Sequence, residues 1–341
     1  MSKKHFYFSK LSSYLQGFIK RGIFNDRRYA VLTYHNFFDG SDTDLRVGLR
    51  RGAFVNINEF EKHMSYIQVH CTAISLEEMV EKICRGEKPD RFYVAVTFDD
   101  GYEDNFRLAL PVLKKYKIHA TYFVSTGFVE NRLLWPWWDE LVDFAVSFNN
   151  PFCLSLGESP EKSFHLRNEE DKRHFLLFLE SFIKRYYPDS VCEVLEQLSR
   201  LKGEKEKRKN DFIDWSSIKE KVDNGSLSIG GHTVTHPILT KCTDFGREEI
   251  KKGKETIENV LGQPVDMFAY PFGNKASFSE EVVQVVRELG FKAAFTLLTG
   301  YNDTSSDLYR LSRIRVAGQD NFEMFLVRLY YAKLVNRLDN L

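Results

Sequence analysis

Apolar runs of strand length alternate with helix-periodic runs along most of the chain. Tyr29–Tyr34 ("YAVLTY") is the first strand-like run. A helical pattern follows at Asn58–Val69, then a short apolar run at Cys71–Ile74. Ser75-Leu76-Glu77-Glu78 has the form of a capped helix start leading into Met79–Ile83. Phe92–Phe98 and Ile118–Val124 read as the next strands, and Leu227–Ile229, Met267–Tyr270, Phe291–Thr296 and Ser312–Val316 as later ones. Helical patterns cover Asp244–Leu261 and Glu280–Leu289, the second with Ser277 as expected cap and Gly290 as its stop. This alternation predicts a parallel-stranded α/β fold, either a barrel or an open sheet. Residues 131–222 break the rhythm with aromatics, helical patterns and the charge run Lys202–Lys209, but few strand signals. They read as a largely helical insertion or subdomain. The chain thus divides into a segment 1–28, a first fold portion 29–130, the insertion 131–222, and a second portion 223–341 ending in a helix.

Composition narrows the class. Hydrophobic residues make up 43% of 341, enough for a substantial core. Lys+Arg and Asp+Glu are equal at 48 each, so no global charge points to nucleic acid. Five scattered cysteines without a CxxC pair read as reduced thiols. Residues 1–28 carry seven Lys/Arg against Asp26, and Leu11, Tyr14, Leu15 and Phe18 share one helical face. That segment is either a helix packed on the domain or a basic amphipathic helix on an anionic membrane surface. No secretory signal and no bilayer-length apolar run is visible, so the expected location is cytoplasmic, at the inner membrane face.

Chemistry concentrates at two strand ends. In Val96-Thr97-Phe98-Asp99-Asp100-Gly101-Tyr102 an apolar run stops at two adjacent carboxylates. Neighbouring residues of a regular strand point to opposite faces, so such a strand cannot aim both at one target. Gly101 is expected to let the chain turn. In Gly230-Gly231-His232-Thr233-Val234-Thr235-His236-Pro237, glycines, β-branched residues and the proline argue against a helix, leaving a loop that presents both imidazoles. Strand C-terminal ends gather on one face in parallel α/β folds. Two histidines and a carboxylate there form an open catalytic metal set. A divalent cation would also let two neighbouring carboxylates stay ionised.

"TFDDGY" (Thr97–Tyr102), "HTVTH" (His232–His236) and "FAYPFG" (Phe268–Gly273), in that order, resemble the polysaccharide deacetylases, the family-4 carbohydrate esterases with a NodB-homology domain. The resemblance runs from about Tyr29 to Val316 and is weakest over 131–222. It implies a distorted (β/α) barrel of about seven strands. It implies removal of acetyl groups from sugars with a divalent metal: zinc first, with cobalt, nickel, iron or manganese as alternatives. By that resemblance Asp99 is the catalytic base, Asp100, His232 and His236 are the metal ligands, and the Phe272 backbone N–H helps hold the oxyanion.

The chain departs from the family pattern at two positions. The slot where many members carry an arginine that pairs with the base is Ala269. Arg313, in "LSRIRV", is either its replacement or an ordinary surface or structural arginine. No histidine follows His236 to act as the late general acid, so His35 in "TYHNF" is the candidate acid or active-site organiser. Trp135, Trp137 and Trp138 in "LLWPWWDEL" either pack the insertion or stack on a sugar face. Tyr102, Tyr270, Trp135 and Trp138 are the expected substrate contacts. The expected function is metal-dependent N-deacetylation of an N-acetylhexosamine-containing glycan or precursor. An O-acetyl esterase, another amide hydrolase of this fold and a carbohydrate-binding pseudoenzyme are the alternatives.

Overall fold

The computed structural model describes residues 27–40, 45–50, 52–130, 135–157, 160–203 and 211–332. The basic amphipathic segment expected at 1–28 falls almost wholly outside these residues, as does most of the charge run Lys202–Lys209. No helix among the described residues is long and apolar enough to cross a membrane.

Seven parallel strands form the central sheet: β1 Arg28–Tyr34, β2 Phe92–Phe98, β3 Ala120–Val124, β4 Ser228–Gly231, β5 Met267–Ala269, β6 Ala293–Phe295 and β7 Ile314–Arg315. Their order across the sheet is β6-β5-β4-β3-β2-β1-β7, with Thr72–Ala73 as a short extra strand on β2. The two ends of this path meet. Leu311, three residues before β7, makes a parallel bridge to Phe295 of β6. The sheet therefore curls into a distorted barrel closed through a single bridge rather than a full strand pair.

Strand periodicity sorts the side chains. Val31, Ala95, Phe123, Ala269, Ala293 and Phe295 point inward and pack together. Three of these six are alanines, which make room for the two phenylalanines. The residues between them, such as Leu32, Val96, Tyr122 and Phe268, face the outer helices. One end of the barrel is plugged by the helix Leu76–Cys84, whose apolar positions Leu76, Met79, Val80 and Ile83 join the inner cluster. Each such buried side chain contributes about 1.5–3 kcal/mol relative to exposure. Ser75 caps this helix, its hydroxyl accepting from the Glu78 N–H at 3.1 Å. The plugged end leaves the strand C-terminal end as the open mouth.

Two boundaries differ from the sequence reading. The helix expected from Asp244 begins at Arg247, because Asp244, Phe245 and Gly246 all adopt positive φ. The helix Glu280–Glu288 is capped by Ser279, not Ser277. Ser279 is the extended residue just before the first turn, while the Ser277 hydroxyl donates to Asn274 O at 2.8 Å.

Between β3 and β4 lie the helices Trp137–Ser147, Glu169–Tyr186 and Asp189–Lys202, with an antiparallel ribbon Phe152–Leu154/Lys162–Phe164. They share a separate core that includes Leu141, Phe144, Phe175, Leu179, Val194 and Leu198. The region 131–222 does not pack as one unit, however. Ile213 and Ile218 belong to the barrel's outer core, so the last helix, Trp215–Asp223, packs with the barrel.

Candidate active site at the barrel mouth

Thr97 and Asp99 share the inward parity of Ala95, so Asp99 arrives at the mouth as the next inward residue of β2. Asp100 escapes that parity by leaving the strand. Its φ is 75° and that of Gly101 is 92°. The turn thus starts on Asp100 itself, one residue earlier than Gly101, in the left-handed region that Asp tolerates better than most residues. Both carboxylates now line one cleft.

Asp99 is 2% exposed and Arg313 is fully buried. The Arg313 Nη1 and Nη2 groups donate to the two Asp99 oxygens at 2.7 and 2.8 Å, a bidentate pair. The guanidinium also donates to Thr296 O and to the Thr33 and Thr97 hydroxyls, at 3.1–3.3 Å. It reaches Asp99 across the barrel from just before β7, filling the role left open by Ala269. Burial pushes the Asp99 carboxyl up, but Arg313, with His232 and His35, outweighs this and holds it below the usual range. His35 Nε2 lies 4.0 Å from Asp99 Oδ2, beyond hydrogen-bond reach. Burial lowers the His35 imidazole to about 4, so it is neutral at pH 7. Its backbone carbonyl accepts from the buried Asn105 side chain at 2.6 Å.

The second cluster is built on Asp100. Its Oδ1 lies 3.4 Å from His232 Nε2 and 3.5 Å from His236 Nε2. His232 Nδ1 sits 2.7 Å from Ala269 O, and a carbonyl can only accept, so the proton is on Nδ1 and the Nε2 lone pair faces Asp100. Burial holds His236 down at about 3, hence neutral. Asp100 Oδ1 is buried without a hydrogen-bond partner among the described residues. Ligand atoms of Asp100, His232 and His236 lie within 4.8 Å of one another, a donor set that fits a divalent cation.

The cleft around these groups has a volume of about 550 Å³. Its walls include Arg50, Trp138, Lys184, Phe272 and Asn274. Trp138 sets its ring edge-on to His236, centroids 4.8 Å apart. Phe272 has φ 60°, and its N–H has no acceptor among the described residues.

Three expected substrate contacts lie elsewhere. Tyr270 has outward parity on the β5 extension, is fully buried, and donates to Tyr309 O at 2.9 Å. Tyr102 is buried beneath the insertion, where its hydroxyl donates to Asp139 at 2.7 Å and accepts from Trp138 Nε1 at 3.0 Å. Trp135 faces a smaller neighbouring pocket of about 200 Å³ beside Arg46 and Asp211. Only Trp138 and Trp137, of the three tryptophans, line the cleft. Sequence reasoning missed Arg50, which pairs with Asp139 and so anchors the Tyr102–Trp138 chain. An arginine in the short basic stretch Leu49-Arg50-Arg51 carries no motif that would have marked it. It also missed Asn105, six residues past Asp99 on the turn of π-helix that follows the motif.

With this geometry in hand, comparison with known proteins gives the family. The polysaccharide deacetylase family model matches residues 86–294. The chain belongs to the polysaccharide deacetylase family. A curated relative, the poly-β-1,6-N-acetyl-D-glucosamine N-deacetylase of Staphylococcus aureus, is 37% identical over 275 residues, covering 80% of this chain and 71% of that one. The structure of Streptococcus pyogenes deacetylase PplD in complex with acetate superposes with a TM-score of 0.59 at 20% identity, covering 89% of this chain and 98% of that one. IcaB from Ammonifex degensii gives 0.58 at 21% identity, covering 89% and 98%. At these identities the two structures speak for the fold, the distorted barrel described above.

Proposed function

We propose that this chain is a metal-dependent N-deacetylase that hydrolyses the acetamide of an N-acetylhexosamine-containing glycan to free amine and acetate. The observation that carries this reading is one cleft holding two adjacent carboxylates in opposite states. Asp99 is charge-paired, while Asp100 faces the Nε2 atoms of two imidazoles. The name of the Staphylococcus aureus relative supports the acetamide substrate and a glycan of N-acetylglucosamine type.

Asp100, His232 and His236 would hold the cation, with zinc the first candidate for a two-histidine, one-carboxylate set. When bound, such a cation supplies Lewis acidity to the acyl oxygen and acidity to a coordinated water. The remaining work falls to this chain's own groups. Asp99, held ionised by Arg313, takes a proton from the attacking water. The Phe272 N–H offers a donor to the developing oxyanion. The departing amine needs a proton. His35 enters neutral, so that proton is the one Asp99 has just taken, passed on to the amine by Asp99 itself. Trp138 presents an aromatic wall to the sugar.

The direct test is acetate release from partly acetylated glucosamine oligomers by the metal-loaded protein. Release from the amide, abolished by chelation, supports the reading. Turnover of O-acetyl esters alone would identify an esterase instead, and no turnover across a broad panel of acetylated sugars sinks it.

A further inference from the structure

The loop that carries both imidazoles is held in a conformation its residues do not favour. Thr233 and His236 have φ of 68° and 55°, in the left-handed region, and Thr233 is β-branched. Its backbone polar groups are nevertheless paired almost throughout. The Thr233 and Val234 carbonyls accept from Thr126 and Gly127 N–H at 3.1 and 2.9 Å. The His236 N–H donates to Thr233 Oγ1 at 3.0 Å. Two further N–H groups, of Val234 and Thr235, both donate to one carboxylate oxygen of Glu249, at 3.1 and 2.8 Å. The other Glu249 oxygen takes the Thr235 hydroxyl at 3.0 Å. A single side chain thus takes two backbone donors and one hydroxyl of the loop by charge-assisted bonds.

A second observation on the same helix, Arg247–Leu261, points the same way. Gly253 lies one turn after Glu249, on the same face. A Cβ there would sit 2.9 Å from both the carbonyl carbon and oxygen of Thr233. That separation requires backbone to move, so the helix can approach the loop only because position 253 has no side chain.

We infer that Glu249 and Gly253 are positioning residues for the metal centre: they fix the loop so that the His232 and His236 Nε2 atoms converge with Asp100 before any cation arrives. The inference rests on the metal reading proposed above. It goes beyond it by assigning the preorganisation to a helix whose residues touch neither cation nor substrate.

The test is zinc affinity of the full chain by competition with a chromogenic chelator, together with the ligand-field spectrum of the cobalt-substituted protein and the unfolding temperature of the metal-free protein. Glu249→Ala and Gly253→Ala should each weaken zinc binding by about 10–100-fold, the range for outer groups that orient ligands. Both should alter the cobalt spectrum. Glu249→Gln keeps one acceptor oxygen and should recover part of the affinity, and it serves alone if the alanine variant does not fold. A purely structural role would lower the unfolding temperature while leaving affinity and spectrum of the folded protein unchanged, and that result overturns the inference. Parent protein that binds no zinc or cobalt overturns the metal reading itself, a distinguishable failure.

Discussion

The two halves of the site begin one peptide bond apart and end in opposite electrostatic states. On one side, both oxygens of Asp99 are occupied by a buried guanidinium and the carboxylate is held ionised. On the other, Asp100 Oδ1 is buried with no hydrogen-bond partner among the described residues and faces the Nε2 atoms of two imidazoles. The first half is paired as folded, whereas the second presents a donor set that fits a divalent cation. The difference teaches that adjacency in sequence does not make two carboxylates equivalent. What separates them is a left-handed φ at Asp100 and an arginine from the far side of the barrel. Strain gathers on the second half, where Asp100, Thr233, His236 and Phe272 all have positive φ. At about 1–3 kcal/mol each, such residues persist only where the surrounding structure over-determines them.

The largest effects should come from exchanging the two states. Asp99→Asn removes the proposed base and leaves the Asp100, His232 and His236 donor set intact. Turnover should fall about 10²–10⁴-fold, with zinc stoichiometry unchanged by elemental analysis. Asp100→Asn should do the reverse, lowering zinc affinity by more than the roughly 10–100-fold typical of outer-sphere changes. If Asp100→Asn keeps zinc while Asp99→Asn loses it, the two assignments are swapped.

Arg313→Met sharpens the comparison by unpairing the first half. The Asp99 carboxyl is lowered in the folded protein, so its pairing contributes stability present above the unfolded carboxyl value and lost as pH falls through the folded one. Removing the guanidinium takes away the largest lowering influence and leaves burial, which pushes upward, opposed only by His232 and His35. The acid limb of kcat/KM should therefore move to higher pH by about 1–3 units, and stability near pH 7 should fall by roughly 3–5 kcal/mol. Combining Arg313→Met with Asp99→Asn should destabilise less than the sum of the two, because each single change leaves the other charge buried and unpaired whereas the double variant leaves neither. An unmoved acid limb would assign the limb to another group.

How much of this was legible in the chain follows the same division. Asp99, Asp100, His232 and His236 were readable because each sits within a contiguous motif at a strand end. The parallel α/β fold was readable because its strands alternate with amphipathic helices, while closure into a barrel was implied only by the family resemblance. Arg313 was visible only as a candidate, since nothing local tells whether a late-strand arginine points inward; parity with Leu311 across the barrel decides it. Parity also explains the error at Tyr270, which lies one step out of phase with Ala269 and so faces the helices. Trp135 and Tyr102 were misplaced for a different reason. Their surroundings depend on how the insertion folds back over the mouth, and no periodicity in 131–222 encodes that docking. Glu249 was hidden inside an ordinary charged helix face, 13 residues beyond the second histidine.

The smallest expected effect tests that docking. Tyr102→Phe removes the hydroxyl joining Asp139 to Trp138 without touching either half of the reactive site. Trp138 Nε1 then loses its acceptor in a part-buried position, and Asp139 keeps Arg50. Loss of a buried hydrogen bond of this kind costs on the order of 1 kcal/mol, a factor of about five. If the network serves to hold Trp138 as a sugar-facing wall, that factor should appear as a raised KM with kcat and zinc affinity unchanged. Because Trp138 also packs edge-on against His236, a fall in zinc affinity instead would mean that the insertion supports the cation side of the site rather than the substrate.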